Sequence, residues 1–457
     1  MDNTLSYKLQ SKNEKKLFNK TLSHLAIPIA FQSFMTAAVN ASDAIMLGFL
    51  NQESLSAVSL AGQITFILNL FITVLVQGTT LLSAQYWGKK DIKSIEMIFG
   101  LVMKLTIIIT SLFFIGAMFF PGILMQLFTN DPKLISNGIA YLKIAGFSFI
   151  PLGLSQIYLC IMKNTGRTTK NTIIASASMI LNLILNTFLI FGILGFPKLG
   201  IQGAALATVI AMFVQLIWVF VDSLKKDNVR LKVKYLFKID NDLKKDFIKY
   251  TLPVAGNYFF YGCGVTMYSV IIGHLGNDAV AANSIANIIK NLITCVGKGV
   301  ATASGIIVGN ALGENMIEKA KLYGKRLIVF SGLCGIVSSI LMFLIRGLIL
   351  DSVGLSPTAL TYLSGMMIIC SIYMIPSAID STVIGGIFCA GGKSKFGLFA
   401  DAIVIWGIII PLASLSAFYF KLPVLVVYLI ICLDECIKIP AVFIYFKRYS
   451  WANNITR

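Results

Sequence analysis

The chain has 457 residues, of which 57% are hydrophobic and only 13% are charged, and its formal net charge is +18. So apolar a composition excludes a water-soluble globular domain and indicates a protein whose main solvent is lipid. The basic excess suits contact with anionic lipid, so we expect the lipid bilayer as a partner and no nucleic acid.

The apolar segments are long enough to cross a bilayer as helices, because about 20 residues at 1.5 Å each span its core of about 30 Å. A polar, lysine-rich tail over 1–20 comes first and shows no cleavable signal. Twelve spans are predicted to follow it, near 24–50, 54–86, 95–120, 134–162, 170–194, 200–223, 246–274, 278–310, 325–350, 358–389, 396–420 and 422–446. The predicted fold class is an all-α membrane protein.

The two halves of the chain repeat each other at a constant offset. Landmarks that coincide include Pro28 with Pro253, Gly48 with Gly273, Gly88 with Gly313, Pro151 with Pro376 and Gly166 with Gly391. Each half has six spans, an even number, so both share one orientation. The repeat predicts two pseudo-symmetric six-helix bundles, with an N-lobe over 1–224, a cytoplasmic interlobe loop over 225–245 and a C-lobe over 246–457.

Lysine and arginine placement predicts the orientation, since cytoplasmic loops carry the excess of these residues. Of the 38 basic residues, 29 fall in tails and loops on the N-terminal side of the predicted spans, against four on the opposite side. Both termini are therefore predicted to be cytoplasmic, in a multi-pass protein of a bacterial cytoplasmic (inner) membrane. The duplicated plan suits transport by alternating access around a central cavity; a repeat kept for folding alone is the alternative.

Polar residues of the N-lobe are the first candidate site, because an ionisable side chain within a span costs at least about 2.5–3.5 kcal/mol. Asp43 lies about 10 Å from the outer end of the first span. Asn182 and Asn186 share one helix face, and Thr208 lies at a similar depth. Such hard oxygen ligands suit an alkali cation or a shared proton. Hydrogen bonding between helices is the structural alternative.

The C-lobe offers a second group of acids. Asp380 follows a proline that can kink the tenth span, and it is a candidate proton or substrate-cation site. Asp434 and Glu435 precede Lys438 by one helical turn, which predicts an intrahelical ion pair with a structural role. Asp401 lies near the cytoplasmic end of its predicted span, where we expect it to reach water.

Taken together, these strings resemble the multidrug and toxic compound extrusion (MATE) family of the MOP flippase superfamily, over nearly the whole chain. The segments that carry the resemblance are LAIPIAFQSFMTAAVNASDAIMLGFL, MILNLILNTFLIFG with FPKLGIQGAALATVIA after it, the KNTGRTTK loop and DECIKIPAVFIYFKRYSWANNI. The resemblance implies twelve helices in two bundles and cation-coupled efflux of organic, often cationic, compounds.

The resemblance also implies site residues. The first-span acid of the family falls on Asp43, and its polar cluster falls on Asn182, Asn186 and Thr208. Sodium, if it is the coupling ion, would bind at Asp43, Asn182 and Thr208. DinF-like relatives often have an aspartate in place of Asn186, so a site with two carboxylates is not available here. Asp380 matches an acid of NorM-like relatives, whose seventh-span glutamate is missing from this chain.

We therefore expect a monomeric antiporter that exports small, amphipathic, often cationic organic substrates in exchange for H⁺ or Na⁺, with no other cofactor. The alternative is a lipid-linked saccharide flippase of the same superfamily, which would need a basic cavity. A major-facilitator carrier is disfavoured because the acidic-arginine loop signature of that class is missing. The loop after the second span reads YWGKKDIKS. An enzyme is not expected, since no nucleophile and base or metal constellation lies at membrane depth.

Overall fold

The computed structural model describes residues 2–50, 52–193, 195–225, 229–237 and 240–456, and within these ranges the chain is helical without a strand. The first half contains α1 (Asp2–Gly48), α2 (Gln52–Gly88), α3 (Ile92–Phe119), α4 (Pro121–Gln126), α5 (Pro132–Ala145), α6 (Phe149–Asn164), α7 (Thr168–Phe191), α8 (Ile201–Ser223) and α9 (Lys234–Phe237). A single 3₁₀ turn, Gly146–Ser148, joins α5 to α6.

The second half contains α10 (Asn241–Gly273), α11 (Asn277–Ile293), α12 (Cys295–Gly313), α13 (Ile317–Ser352), α14 (Pro357–Asp380), α15 (Lys395–Asp401), α16 (Ile410–Ser414), α17 (Val424–Ile431) and α18 (Asp434–Lys447). Three stretches widen into π-helix, which are Ser381–Phe388, Ala402–Ile409 and Leu415–Tyr419. The predicted all-α membrane architecture is confirmed.

Ten helices of the described ranges are long and apolar enough to cross a membrane. They coincide with the predicted spans one to six and eight to eleven. The segments predicted as spans seven and twelve are helical as well, in α10 and in α17 with α18. In α10 the uncharged stretch 250–273 contains Asn257 and four tyrosines, which lower its hydropathy. Neither α17, with 8 residues, nor α18, with 14, is long enough to cross a membrane by itself. The predicted eighth span is divided at Thr294 into α11 and α12.

Helix α13 illustrates how a span divides its surface between lipid and protein. Val329, Val337 and Leu344 are 65–67% exposed on its outer face, as expected of side chains that contact acyl chains. Its inner face carries small residues, and a Cβ added at Gly335 would come within 2.8 Å of the Ile375 backbone. Small residues at such contacts allow helices in lipid to pack closely.

The chain forms two compact units. Unit 1 comprises 1–33, 84–90 and 252–457, and unit 2 comprises 34–83 and 91–251. The core of unit 2 contains a cluster of α2 with α3 to α6, in which Leu68, Met125 and Phe149 are fully buried. The lobe boundaries predicted at 224 and 246 stay a prediction.

Unit 1 includes the first part of α1, which packs on the C-terminal half of the chain. Phe18, Leu22 and Leu25 belong to one buried cluster with residues of α12 and α18. The contact is close, because a Cβ added at Gly299 would meet the backbone of Ala26 at 2.7 Å. A glycine at this point therefore permits α1 and α12 to approach each other.

The short helix α9 attaches the segment after α8 to α3 within unit 2. Tyr235 is buried against Gly100, where an added Cβ would lie 2.7 Å from the Tyr235 backbone. Beside it, Lys232 Nζ lies 2.6 Å from Glu96 Oε2. The hydrogen bond with Glu96 raises the pKa of Lys232 above its ordinary value, so the lysine stays protonated and the pair persists at neutral pH.

The C-terminal segment of unit 1 is held by Trp451 and Gln85. Trp451 is fully buried, donates its indole N–H to the Phe446 carbonyl at 3.0 Å, and stacks on the Phe446 ring. Gln85 of α2 donates Nε2 to the Ala390 carbonyl at 2.7 Å and accepts the Ile455 N–H at 2.8 Å. These contacts fix the last residues against α2 and the end of the tenth span.

Trp451→Ala is expected to reduce the free energy of unfolding by about 3–5 kcal/mol, because truncating a fully buried aromatic side chain leaves a cavity. Thermal unfolding of the purified protein in detergent measures this. Trp406→Ala is the control, since Trp406 is 37% exposed and should cost less. Equal losses for the two variants would contradict a specific anchoring role for Trp451.

Candidate functional site

In unit 2, the sequence of α7 places two amides on its buried face. Asn182 and Asn186 are four residues apart, so they lie one above the other on a helix with 3.6 residues per turn. Asn182 is 6% exposed and Asn186 is 1% exposed. Ile180 and Ile184, on the opposite face, are each 45% exposed. The helix therefore directs its amides inward and its isoleucines outward.

The four residues predicted for the N-lobe site form one continuous hydrogen-bonded chain. Asn186 Nδ2 donates to Asp43 Oδ1 at 2.7 Å and to Asn182 Oδ1 at 3.3 Å. Asn182 Nδ2 in turn donates to Thr208 Oγ1 at 3.2 Å. The structure thus brings together Asp43 of α1, both amides of α7 and Thr208 of α8, which are distant in sequence.

One oxygen of this cluster is left without a donor. Asn186 Oδ1 is buried, and no hydrogen-bond donor among the residues with described side chains reaches it. An unsatisfied buried acceptor costs about 1–3 kcal/mol, and here it lies in the side chain that also binds the Asp43 carboxylate. Carboxylate, amide and hydroxyl oxygens such as these are the ligand types that alkali cations prefer, and a buried carboxylate can hold a proton.

A tyrosine that the sequence analysis did not identify belongs to the same region. Tyr141 of α5 lies close enough to Asp43 for the charges of the two groups to interact. Nothing in the spacing of α5 relative to α1 marks this residue.

In unit 1, Lys438 joins acids from two helices. Its Nζ donates to Asp401 Oδ1 at 3.0 Å and lies 2.8 Å from Glu435 Oε2. Asn257 Nδ2 of α10 donates to the other oxygen of Asp401 at 2.7 Å. The predicted intrahelical pair with Lys438 is confirmed for Glu435, whereas Asp434 accepts the Glu435 N–H at 2.8 Å.

The expectation that Asp401 reaches water was wrong, because this residue is only 6% exposed and carries an ion pair. Asp401 and Lys438 are 37 residues apart on different helices, so helical spacing could not pair them. Asn257 could have been noticed as a polar residue at the centre of α10, the span that lacks the glutamate of NorM-like relatives.

Asp380 lies at the end of α14, where a π-helical stretch begins. Pro376 is inside α14 and does not end the helix. Asp380 is 2% exposed, and neither carboxylate oxygen has a hydrogen-bond partner within the described part of the chain. Glu435, Lys438 and Asp401 lie close enough to Asp380 for their charges to influence it. Asp380 therefore belongs to the same buried cluster as Asp401, Glu435 and Lys438.

The two clusters contain no residue set typical of a transition metal. Across the described side chains, no group of three or more His, Cys, Asp and Glu residues could hold a metal ion. The unit 2 cluster instead combines one carboxylate with neutral amide and hydroxyl groups, and the unit 1 cluster includes an ammonium group at Lys438.

Comparison with known proteins gives a consistent family. The MatE family model matches residues 28–188 and 253–415. The transporter YisQ of Bacillus subtilis is 24% identical over 431 residues, which cover 93% of each chain. A protein of Thermotoga maritima described as probable multidrug resistance protein NorM is 22% identical, covering 96% of this chain and 94% of that protein.

The same fold occurs in a solved structure. A MOP superfamily transporter from Pyrococcus furiosus superimposes with a TM-score of 0.86 at 18% sequence identity, covering 95% of this chain and 96% of that one. At this identity the likeness concerns the fold alone.

Proposed function

The chain belongs to the multidrug and toxic compound extrusion (MATE) family of membrane transporters, and on that premise we propose that it is a cation-coupled antiporter. It exports small, amphipathic, often cationic organic compounds and takes up H⁺ or Na⁺ in exchange, by alternating access of its two lobes. The names of relatives support the substrate class, because the Thermotoga maritima protein is described as a probable multidrug resistance protein.

The observation that carries the proposal is the Asp43 cluster with its unpaired acceptor at Asn186 Oδ1. A carboxylate inside a membrane is costly when charged, so it favours either a proton or a bound cation. Proton and sodium occupancy of Asp43 exclude each other, because only the charged form attracts a metal ion. A bound ion that prefers one conformation of the transporter then shifts the equilibrium towards it and drives substrate release.

The cluster of unit 1 supports a second proton or substrate-cation site at Asp380. Four carboxyl groups of unit 1 are buried, those of Asp380, Asp401, Asp434 and Glu435, and the ammonium group of Lys438 forms ion pairs with two of them, Asp401 and Glu435. The positive charge of a bound proton or of a cationic substrate would balance the excess negative charge of these carboxyl groups. We infer that Glu435, on the twelfth span, acts as the acidic partner of Asp380 in the absence of a glutamate on the seventh span.

Transport by purified protein in liposomes under separately imposed proton and sodium gradients tests the function. We expect accumulation of a fluorescent lipophilic cation, such as ethidium, to depend on at least one gradient and to collapse when an ionophore dissipates it. Movement of a lipid-linked saccharide, with no gradient-dependent movement of any cation in a broad panel, would favour the flippase instead.

Asn186→Asp is expected to increase the dependence of export on sodium. The substitution adds the second carboxylate that DinF-like relatives often have, and two carboxylates with the Asn182 and Thr208 oxygens bind a monovalent metal ion more strongly than one. The export rate as a function of sodium concentration measures this, with Asn182→Asp as a comparison of equal charge. An unchanged sodium response would show that position 186 does not face the coupling ion.

We also propose that the protein lies in a bacterial cytoplasmic membrane as a monomer with both termini inside. A cysteine introduced at Lys234, on the exposed side of α9, should resist an impermeant thiol reagent in intact cells and react after permeabilisation. A cysteine at Lys133, on the opposite side by the basic-residue count, should react in intact cells. The reverse pattern would overturn the orientation.

A further inference from the structure

The interior of unit 2 contains polar side chains well beyond the Asp43 cluster. On α7 they recur along one buried face, at Thr168, Thr172, Ser178, Asn182 and Asn186. With 100° per residue these five positions fall within an arc of about 120°. From Thr168 to Asn186 the helix rises about 27 Å, close to the thickness of about 30 Å of the hydrocarbon core. The polar stripe therefore extends across most of the membrane.

Helix α8 supplies a second stripe that faces the first. Thr208, Gln215 and Asp222 are spaced by seven residues, which places them on one helix face. The two stripes touch at both ends, because Asn182 donates to Thr208 at 3.2 Å and Arg167 forms an ion pair with Asp222. The helices therefore run antiparallel, with polar groups between these contacts.

Gln215 of α8 adds a polar group at the middle of the stripe, close to the level of Ser176 of α7. The two end contacts enclose about four turns of each helix, and Gln215 lies halfway along α8, level with Ala175 halfway along α7. Gln215 is 2% exposed, and Ser155 Oγ of α6 donates to its Oε1 at 3.4 Å. With this side chain included, successive polar levels are about 4.5–6 Å apart.

Several buried polar groups of α7 and of the neighbouring α6 lack partners. The unpaired buried atoms are Thr168 Oγ1, Thr172 Oγ1, Ser176 Oγ, Asn164 Oδ1 and Asn186 Oδ1, when every described donor and acceptor is considered. Each of these residues is more than nine-tenths buried. Proteins usually satisfy such groups with internal water. One water molecule bridges about 5.6 Å through two hydrogen bonds of about 2.8 Å, which matches the separation of the levels.

We propose that a file of water molecules between α6, α7 and α8 conducts protons through unit 2, between Asp43 and the end at Thr168. The inference deepens the proposed function, because it rests on Asp43 as the coupling group. The Asp43 carboxyl gives its proton to a water molecule, and each water or hydroxyl along the stripe accepts one proton and passes another on. The ion pair of Arg167 with Asp222, reinforced by Lys225 at 2.8 Å, closes the far end.

Silver-ion labelling tests for the water file independently of transport. Thr172→Cys places a thiol on the stripe, and the control Ile173→Cys places one on the lipid face, where Ile173 is 53% exposed. In membrane vesicles, Ag⁺ should modify the thiol at position 172 about tenfold faster, or more, than the thiol at position 173. Mass spectrometry of the corresponding peptide measures both rates. Equal rates, or faster reaction at residue 173, would overturn the proposal.

A transport measurement then separates the water file from the coupling site. Gln215→Leu should slow proton-driven export at least about tenfold without weakening substrate binding. The control Ile217→Leu, at an exposed position of α8, should leave the export rate unchanged. If Gln215→Leu exports normally while Asp43→Asn is inactive, the proton path is refuted and the proposed function stands. If Asp43→Asn exports normally, the coupling role fails, and silver labelling alone decides whether the file exists.

Discussion

Asp43→Asn is expected to abolish gradient-driven export while leaving the fold intact. The amide keeps the size of the side chain. It does not take up and release protons at neutral pH, and it carries no negative charge to attract a cation. Asn186, which donates to Asp43 Oδ1 at 2.7 Å, can donate equally to an amide oxygen. Export by reconstituted protein should therefore fall to the level of empty liposomes under both proton and sodium gradients.

Two measurements make this result specific to coupling. The melting temperature should change by no more than about 2–4 °C, the shift that about 1 kcal/mol produces in a domain of 150–250 residues. Glu53→Gln is the control, because it removes an exposed acid of unit 2 whose ion pair is with the exposed Lys133, and this variant should export normally. Normal export by Asp43→Asn would make Asp43 structural and direct attention to Asp380.

Lys438→Met is expected to cost about 3–5 kcal/mol of stability, the usual result when one partner of a buried ion pair is removed. Lys438 is 4% exposed, and its ammonium group compensates both Asp401 and Glu435. Methionine has a similar length without the charge, so the loss is electrostatic and not a cavity. Thermal unfolding in detergent should show a large decrease in melting temperature.

Lys447→Met on the same helix is the matched control. Lys447 is exposed at the last turn of α18, and its charge contributes only about 0.3–1 kcal/mol through the helix dipole. The double variant Asp401→Asn with Lys438→Met should recover part of the loss, because it removes a stranded carboxylate. A melting temperature of Lys438→Met equal to the parent would show that other groups compensate these acids.

Much of the fold could be predicted because membrane spans are read from length and apolarity. The predicted spans one to six and eight to eleven coincide with apolar helices of the structure. Interruptions were not predicted, since the break at Thr294 has no proline beside it. Pro411, next to the π-helical stretch Ala402–Ile409, indicates a disturbance of the helix but not its type. The packing of Phe18 and Leu22 on α12 was also missed, because a repeat in sequence does not show which helices pack together.

The two candidate sites differ in how far sequence could define them. Asn182 and Asn186 were recognisable because residues four apart share a helix face. Their contacts with Asp43 and Thr208 cross helices. Depth along the spans indicated that the four residues lie at a similar level, and the family resemblance supported this grouping. In unit 1 the helical rule found Lys438 with Glu435 but not with Asp401, since that contact depends on the packing of two separate spans.

Proton release on substrate binding tests the central claim most directly, because exchange at Asp43 requires substrate and proton to compete. Purified protein in weakly buffered detergent is mixed with a lipophilic cation, and a pH-sensitive dye reports the protons released per substrate bound. We predict that the parent protein releases protons when it binds substrate. Asp43→Asn should release about one proton fewer per substrate, since the unit 2 cluster has one carboxylate. Equal release by the two proteins would contradict the account.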